Sequence, residues 1–287
     1  MGDWVLGVIG GSGLYDIDGL QDRQWISIDT PWGAPSDELL TGTLGELKLV
    51  FLPRHGRGHR LSPTDVNARA NIAALKLAGC TDVLSLSAVG SLREPLDPGS
   101  FVVVDQFIDR TFAREKSFFG AGLVAHVSMA HPTCPRLSGL AAQAGREAGA
   151  RVVEGGTYLA MEGPQFSTRA ESELYRAWGC DVIGMTNMPE AKLAREAELP
   201  DASVAMVTDY DCWHEDIAHV ELAQIIACLM DNAAKARDLV ARLAAQLQGP
   251  RAASPIDRAL EGAIITAPPA RDQVLVDNLY ALIGRAL

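Results

Sequence analysis

The sequence predicts an α/β fold: a single domain on a central mixed, mostly parallel twisted sheet flanked by helices. Short, nearly continuous apolar runs recur at residues 4–9, 47–52, 82–86, 101–105 and 202–207, as strands buried on both faces require. Stretches with apolar residues at helical spacing separate several of them, so strands alternate with helices. With 287 residues, 48% hydrophobic and 21% charged, the chain can bury a large core.

The first run passes into Gly10, Gly11, Ser12 and Gly13. Backbone without Cβ atoms lets N–H groups converge on an anion, and the Ser12 hydroxyl adds a donor; a plain tight turn fits the same residues. The dinucleotide-binding frame G-x-G-x-x-G fails, because counting from Gly11 puts Asp16 at its end and counting from Gly10 puts Ser12 at its second glycine. No Lys-Ser or Lys-Thr follows, so the P-loop pattern fails too. The second strand, 47–52, runs into residues 53–60, where Arg54, His55, Arg57, His59 and Arg60 cluster. Such a cluster is either a solvated loop or, at a strand end opposite a glycine turn, a guanidinium clamp for phosphate. No Asp, Glu or Cys at ligand spacing accompanies the histidines, so no metal site is expected.

Thr64 is the expected cap of a helix over 65–78 that stops at Gly79. Strand 82–86 closes in Ser87, Ala88, Val89, Gly90 and Ser91; strand 101–105 is followed by a stretch, 106–120, that reads as irregular, with Arg110, Arg114 and Lys116 among phenylalanines. Pro135 opens a helix to about 148. A strand over 157–160 leads into Met161-Glu162-Gly163-Pro164-Gln165-Phe166-Ser167, a break carrying a carboxylate, a ring and a hydroxyl. It is either a wall for a flat polar ligand or a solvated turn. A helix over 169–178 precedes a strand over 181–183 that ends in Gly184, Met185, Thr186 and a run to Glu190; a helix over 191–197 follows. Strand 202–207 finishes in Thr208-Asp209-Tyr210-Asp211-Cys212-Trp213, whose two carboxylates share a cleft only if the backbone there is not regularly pleated. A long helix from about 220 to 248, with Leu222, Ile225 and Ile226 on its apolar stripe, stops at Gly249-Pro250. The expected domain is 1–250, and 251–287 reads as a C-terminal helical appendage packed on it or on a neighbouring subunit. Every candidate group lies at the carboxyl end of a strand, where open α/β sheets bind ligands.

A net charge of −11 argues against nucleic-acid or anionic-membrane partners, because long-range repulsion opposes both. No apolar run approaches the ~20 residues of a membrane span, and the start lacks a signal-peptide pattern, so the expectation is a soluble, cytoplasmic protein. Cys80, Cys134, Cys180, Cys212 and Cys228 form no CxxC pair and read as small buried apolar residues.

Taken together, Val8-Ile9-Gly10-Gly11-Ser12-Gly13-Leu14, Arg54-His55-Gly56-Arg57, Gly90-Ser91-Leu92-Arg93-Glu94, Asp105-Gln106-Phe107-Ile108-Asp109-Arg110-Thr111, Glu162-Gly163-Pro164-Gln165-Phe166-Ser167 and Thr208-Asp209-Tyr210-Asp211-Cys212-Trp213 resemble the S-methyl-5′-thioadenosine phosphorylases, in the trimeric purine nucleoside phosphorylase superfamily. The resemblance runs in order over about residues 5–246. It implies the nucleoside phosphorylase fold, a homotrimer or dimer of trimers, and phosphorolysis of methylthioadenosine to adenine and 5-methylthioribose 1-phosphate, with inorganic phosphate as co-substrate and no cofactor. By similarity Ser12, Arg54, His55, Ser87, the Ala88 amide and Thr186 hold phosphate. Met185 lies against ribose, Phe166 against purine or sugar, and Glu162 binds sugar or braces its loop. His126, from an adjacent subunit, encloses the methylthio group with Leu222, Ile225 and Ile226. Asp209 protonates N7 of the leaving purine, a task suited to a buried carboxyl with a raised pKa, and Asp211 accepts a bond from the 6-amino group. The 6-oxopurine branch carries Asn in place of Asp209 and Glu in place of Ser167, which favours adenine here. Methylthioinosine or ordinary purine nucleosides are the alternative substrates; a dinucleotide-dependent oxidoreductase and a non-catalytic nucleoside-binding module are the alternatives of other classes.

Overall fold

Side chains of β1 (Val5–Gly10) alternate between two helix layers: Leu6 and Val8 pack into one core cluster and Ile9 into the other. The computed structural model describes residues 3–11, 13–214 and 222–287, and of 222–226 the backbone alone. β1 lies parallel between β4 (Leu47–Pro53) and β5 (Asp82–Ser91). Two antiparallel edge strands, β2 (Gln21–Ile26) and β3 (Leu39–Leu44), extend the sheet beyond β4. β6 (Ser100–Val104), β7 (Gln106–Arg110), β8 (Arg151–Glu154), β9 (Thr157–Met161), β10 (Val182–Gly184) and β11 (Asp201–Asp209) complete eleven strands among the described residues. The order is β2-β3-β4-β1-β5-β10-β9-β7, with β11 also on β5, β6 on β11 and β8 on β6. Six of the ten pairings are parallel (β1–β4, β1–β5, β10–β9, β11–β5, β6–β8, β7–β9), so the expected mixed, mostly parallel sheet is borne out.

One helix layer holds α2 (Pro135–Glu147) and α5 (Leu222–Gln246); the other holds α1 (Ala68–Leu77), α4 (Glu190–Glu196) and α6 (Gln273–Ile283). α3 (Arg169–Ala177) packs Tyr175 against Trp213 and Ile183. Its start is a capping box: the Thr168 hydroxyl accepts from Glu171 N, and Glu171 accepts from Thr168 N at 2.8 Å. No helix of the described residues is long and apolar enough to cross a membrane.

Three expectations are corrected. α1 is capped by Asn67, which accepts from Ala70 N at 3.1 Å, and not by Thr64, whose hydroxyl is committed to Glu162 at 2.6 Å. Residues 106–110 are the strand β7 rather than irregular, and β2 and β3 are further strands; β2 and β7 are exposed or half-buried and each has only two apolar residues, so neither carries an apolar run. Cys212 is exposed and Cys228 half-buried, in contrast to the other three cysteines; all five are free. The C-terminal 251–287 is two 3-10 turns and one α-helix, α6. It buries Ile256, Leu260, Leu279, Leu282 and Ile283 in the two main core clusters. Arg251 and Arg136 both pair with the fully buried Asp82, and Arg285 pairs with Glu198.

Candidate active site

β1 pairs with β5 only as far as Ser85, and β10 joins β5 at Gly90. In the gap between them stands Arg54, 2% exposed although it follows the last residue of β4. Nε and Nη2 form a fork on Glu190 Oε1 and Oε2 at 2.6 and 3.0 Å. Nη2 also donates to Ser85 Oγ at 2.6 Å and Nη1 to the Leu86 carbonyl at 2.8 Å, which leaves one N–H on Nη1. Burying this cation is tolerable because Glu190 neutralises it in a two-point, charge-assisted contact. The rest of the basic cluster divides from it: Arg57 binds Asp37 and Glu38 at the surface, and Arg60 donates to the Ser36 carbonyl.

His55 bonds the Leu61 carbonyl through Nδ1 at 3.0 Å and stacks on His59 with ring centroids 4.4 Å apart. Burial, and then the Arg54 charge, lower its pKa to about 4, so the ring is neutral near pH 7. Since a carbonyl only accepts, Nδ1 carries the proton and Nε2 is an acceptor. Thr186 Oγ1 sits 3.1 Å from Tyr158 OH, and Ser87 Oγ is buried without a partner. Arg54, His55, Met185 and Thr186 line one narrow cleft with Arg114, Glu190, Pro63 and Val66. Ala88, exposed on β5, is in register with Met206.

β11 runs parallel to β5 in regular register up to Val207 opposite Val89, then bulges so that Asp209 stands opposite Gly90. That irregularity brings carboxylates two residues apart against the same glycine. A Cβ on Gly90 would lie 3.1 Å from Asp209 Oδ1 and 3.3 Å from Asp211 Cβ, so the glycine makes room for both. Thr208 Oγ1 donates to Asp209 Oδ2 at 2.7 Å and Asp211 N to Oδ1 at 2.8 Å, which fixes the carboxyl plane. Asp211 has φ 52° and a buried Oδ2 without a partner; burial raises its pKa.

Glu162 accepts from Thr64 Oγ1 at 2.6 Å, from Phe112 N at 2.6 Å, from Ala113 N at 3.1 Å and from Arg114 Nε at 3.1 Å. Burial opposes its charge, but these donors outweigh it and hold the pKa at about 2. Of the two roles expected for it, this geometry is the loop brace. Phe166 is 84% exposed, and Ser167 is half-buried with Oγ 3.7 Å from Met161 Sδ. His126 is exposed, and its backbone N donates to the Ala263 carbonyl in the C-terminal segment. Ser12 and the side chains of Leu222, Ile225 and Ile226 lie outside the described residues. No group of three or more potential metal ligands occurs among the described residues.

Sequence reasoning missed Glu190, Ser85, Asn187, Arg114 and Thr64 as parts of the site. A buried strand-end Arg demands a carboxylate, but nothing local points to one 136 positions away. Behind Glu190 lies a small cavity lined by Ser85, Asn187, Asp201 and Ser203 with apolar neighbours. Asn187 Nδ2 and Asp201 Oδ1 are buried there without partners, and burial pushes the Asp201 pKa up to about 8.

A family model described as the phosphorylase superfamily matches residues 5–245. Over 285 residues the chain is 63% identical to the S-methyl-5′-thioadenosine phosphorylase of Cereibacter sphaeroides, covering 99% of this chain and 98% of the relative. The chain belongs to the S-methyl-5′-thioadenosine phosphorylase family of that superfamily. A family member from Rhodospirillum rubrum is 59% identical over 285 residues, covering 99% of this chain and 97% of the relative. A solved methylthioadenosine phosphorylase from an antarctic soil metagenomic library superposes with TM-score 0.93 at 44% identity, covering 99% and 100% of the two chains. A mutant adenosine/methylthioadenosine phosphorylase from Schistosoma mansoni, solved in complex with methylthioadenosine, gives TM-score 0.78 at 34% identity, covering 98% of each chain. The family model ends at 245, whereas these relatives and structures also match the C-terminal segment.

Proposed function

We propose that this chain catalyses phosphorolysis of S-methyl-5′-thioadenosine to adenine and 5-methylthioribose 1-phosphate, with phosphate on the Arg54 side and the purine at Asp209 and Asp211. One observation carries the reading: the bulge in β11 stands the carboxyl pair over Gly90, three residues along β5 from the unpartnered Ser87 hydroxyl. At strand rise that separation is about 10 Å, the scale needed to seat a ribose between an anion and a base.

In this mechanism a phosphate oxygen attacks C1′ as the C1′–N9 bond breaks, and the electron pair goes to the purine. Asp209, oriented by Thr208 and by Asp211 N, gives its proton to N7 and neutralises that charge. Asp211 Oδ2 accepts from the 6-amino group, which relieves its lack of a partner. Because four of five Arg54 N–H groups are already used, Arg54 supplies charge and one donor, while Ser12, Ser87, Thr186 and the Ala88 amide supply the rest. Neutral His55 accepts the hydroxyl of monoprotonated phosphate at Nε2. Met185 packs on ribose; Phe166 and Ser167 face the purine side. His126 of a second copy, with Leu222, Ile225 and Ile226, covers the methylthio group, so a homotrimer is part of the proposal. The apolar cover suits a thioether and leaves a 5′-hydroxyl unsatisfied. Phosphate is the co-substrate, no cofactor takes part, and the setting is cytoplasmic.

Phosphorolysis of methylthioadenosine, methylthioinosine, adenosine and inosine, each with and without phosphate, tests the reading. Methylthioadenosine is expected to be the best substrate, with no turnover when phosphate is omitted; inosine as the best substrate overturns it. Asp209→Asn is expected to lower turnover by a factor on the order of 10² or more, and unchanged turnover removes its assigned role.

A further inference from the structure

β9 and β10 run side by side in parallel and separate at their carboxyl ends, one chain entering the loop 162–167 and the other the loop 185–189. Their ladder ends at Gly184 opposite Ala160, so the carbonyls beyond it need other donors. Arg114, buried within the cleft lining, provides them. Nη1 donates to the carbonyls of Met185 and Met188, both at 2.8 Å. Nη2 donates to the Glu162 carbonyl at 2.7 Å and the Met161 carbonyl at 3.4 Å, while Nε binds the Glu162 carboxylate at 3.1 Å. All five N–H groups are thereby used on protein. Glu162 is itself held by Thr64 and the amides of Phe112 and Ala113, so the knot also reaches the segment carrying Pro63 and Val66. The two loops touch as well: Gly163 has φ 72°, and a Cβ there would lie 2.5 Å from Met185 Sδ.

We propose that Arg114 is a positioning residue that makes the Met185–Thr186 loop and the Glu162–Ser167 loop move as one body, so that phosphate binding on one tightens nucleoside binding on the other. The inference rests on the assignment of phosphate to the Thr186 side and nucleoside to the Phe166 side. Arg114 spends every donor on the protein and so acts through the backbone it holds. A lysine keeps the charge but is a single point with three rotating donors, and it cannot hold four carbonyls of two loops at once.

The test uses the full-length protein and a matrix of methylthioadenosine and inorganic phosphate concentrations. For the wild type, saturating phosphate is expected to lower the KM for methylthioadenosine by about five-fold or more, an ordinary coupling between two sites. In Arg114→Lys that factor falls to near one and both KM values rise. Glu162→Gln removes the anchoring charge while Arg114 keeps its carbonyls, and is expected to reduce the coupling less. A purely structural role would lower kcat with the active fraction and leave both KM values and their coupling unchanged; that result, or a wild type without coupling, overturns the inference. If Arg114→Lys does not fold, Glu162→Gln with unaltered coupling overturns it as well. Failure of the wild type to phosphorolyse methylthioadenosine at all would instead overturn the functional reading beneath it.

Discussion

The two sides of the cleft are built on opposite terms. On the Arg54 side the charged and ring groups are held by protein, Arg54 by Glu190, Ser85 and Leu86, Thr186 by Tyr158 and His55 by Leu61, while the Ser87 hydroxyl is left without a partner. On the Asp209 side the single chain is open: Phe166 is exposed and Asp211 Oδ2 has no partner. Under the proposed function the difference follows from what each side would hold. In a chain of net charge −11, an anion is attracted only where a cation is fixed against the surrounding field, and fixing a buried cation requires a carboxylate such as Glu190. A flat neutral base needs area and hydrogen-bond direction, which a mobile surface residue or a second copy can complete on binding.

Breaking the closed side gives the largest expected effect. Glu190→Ala leaves the Arg54 guanidinium buried with no counter-charge and is expected to destabilise the protein by about 3–5 kcal/mol, read from the urea midpoint at constant m. A loss below about 1 kcal/mol would mean that the wall does not depend on this pair. The same substitution applied to the open side should separate stability from binding. Phe166→Ala removes an exposed ring, so stability should change by no more than about 0.5 kcal/mol, while KM for methylthioadenosine rises about ten-fold, equivalent to ~1.4 kcal/mol of lost contact. Equal losses of stability and affinity would erase the contrast between the two sides.

This contrast also explains what could be read from the sequence. The buried parallel strands β1, β4, β5 and β11 stand out as apolar runs, and the strand-end rule gathers Arg54, His55, Thr186 and Asp209 without any structure. β2 and β7 are edge strands of mainly polar residues with only two apolar ones each, so their hydrogen bonds, which no residue type announces, define them. Arg54 is legible as a cation at a strand end; that Glu190 uses most of its donors is not, because the contact joins positions 136 apart. Arg114 looked like one basic residue among phenylalanines. Only the separation of β9 from β10, a tertiary fact, shows why four carbonyls converge on it. Phe166 was legible as a ring in a turn, and its exposure agrees equally with a ligand-facing wall and with an interface between copies.

The finest probe of the closed side lies behind it at Asp201, whose effect is read from its dependence on pH. This carboxyl lines the cavity at Glu190, has an unpartnered buried Oδ1, and is pushed by burial up to about 8 from an ordinary 3.8, despite the nearby Arg195 charge. The folded state therefore keeps a proton that the unfolded state releases. The stability this confers is complete below pH 3.8 and is lost as pH rises through about 8. Asp201→Asn is neutral at every pH, of nearly the same shape, and has no such dependence. Its unfolding free energy should stay close to that of the wild type below about pH 4 and gain on it as pH rises from about 4 to 8, at a limiting slope near 1.4 kcal/mol per pH unit. Parallel curves for the two proteins would show that Asp201 is ionised throughout and that the cavity stabilises its charge, so the closed side would extend to a second buried anion beside Glu190.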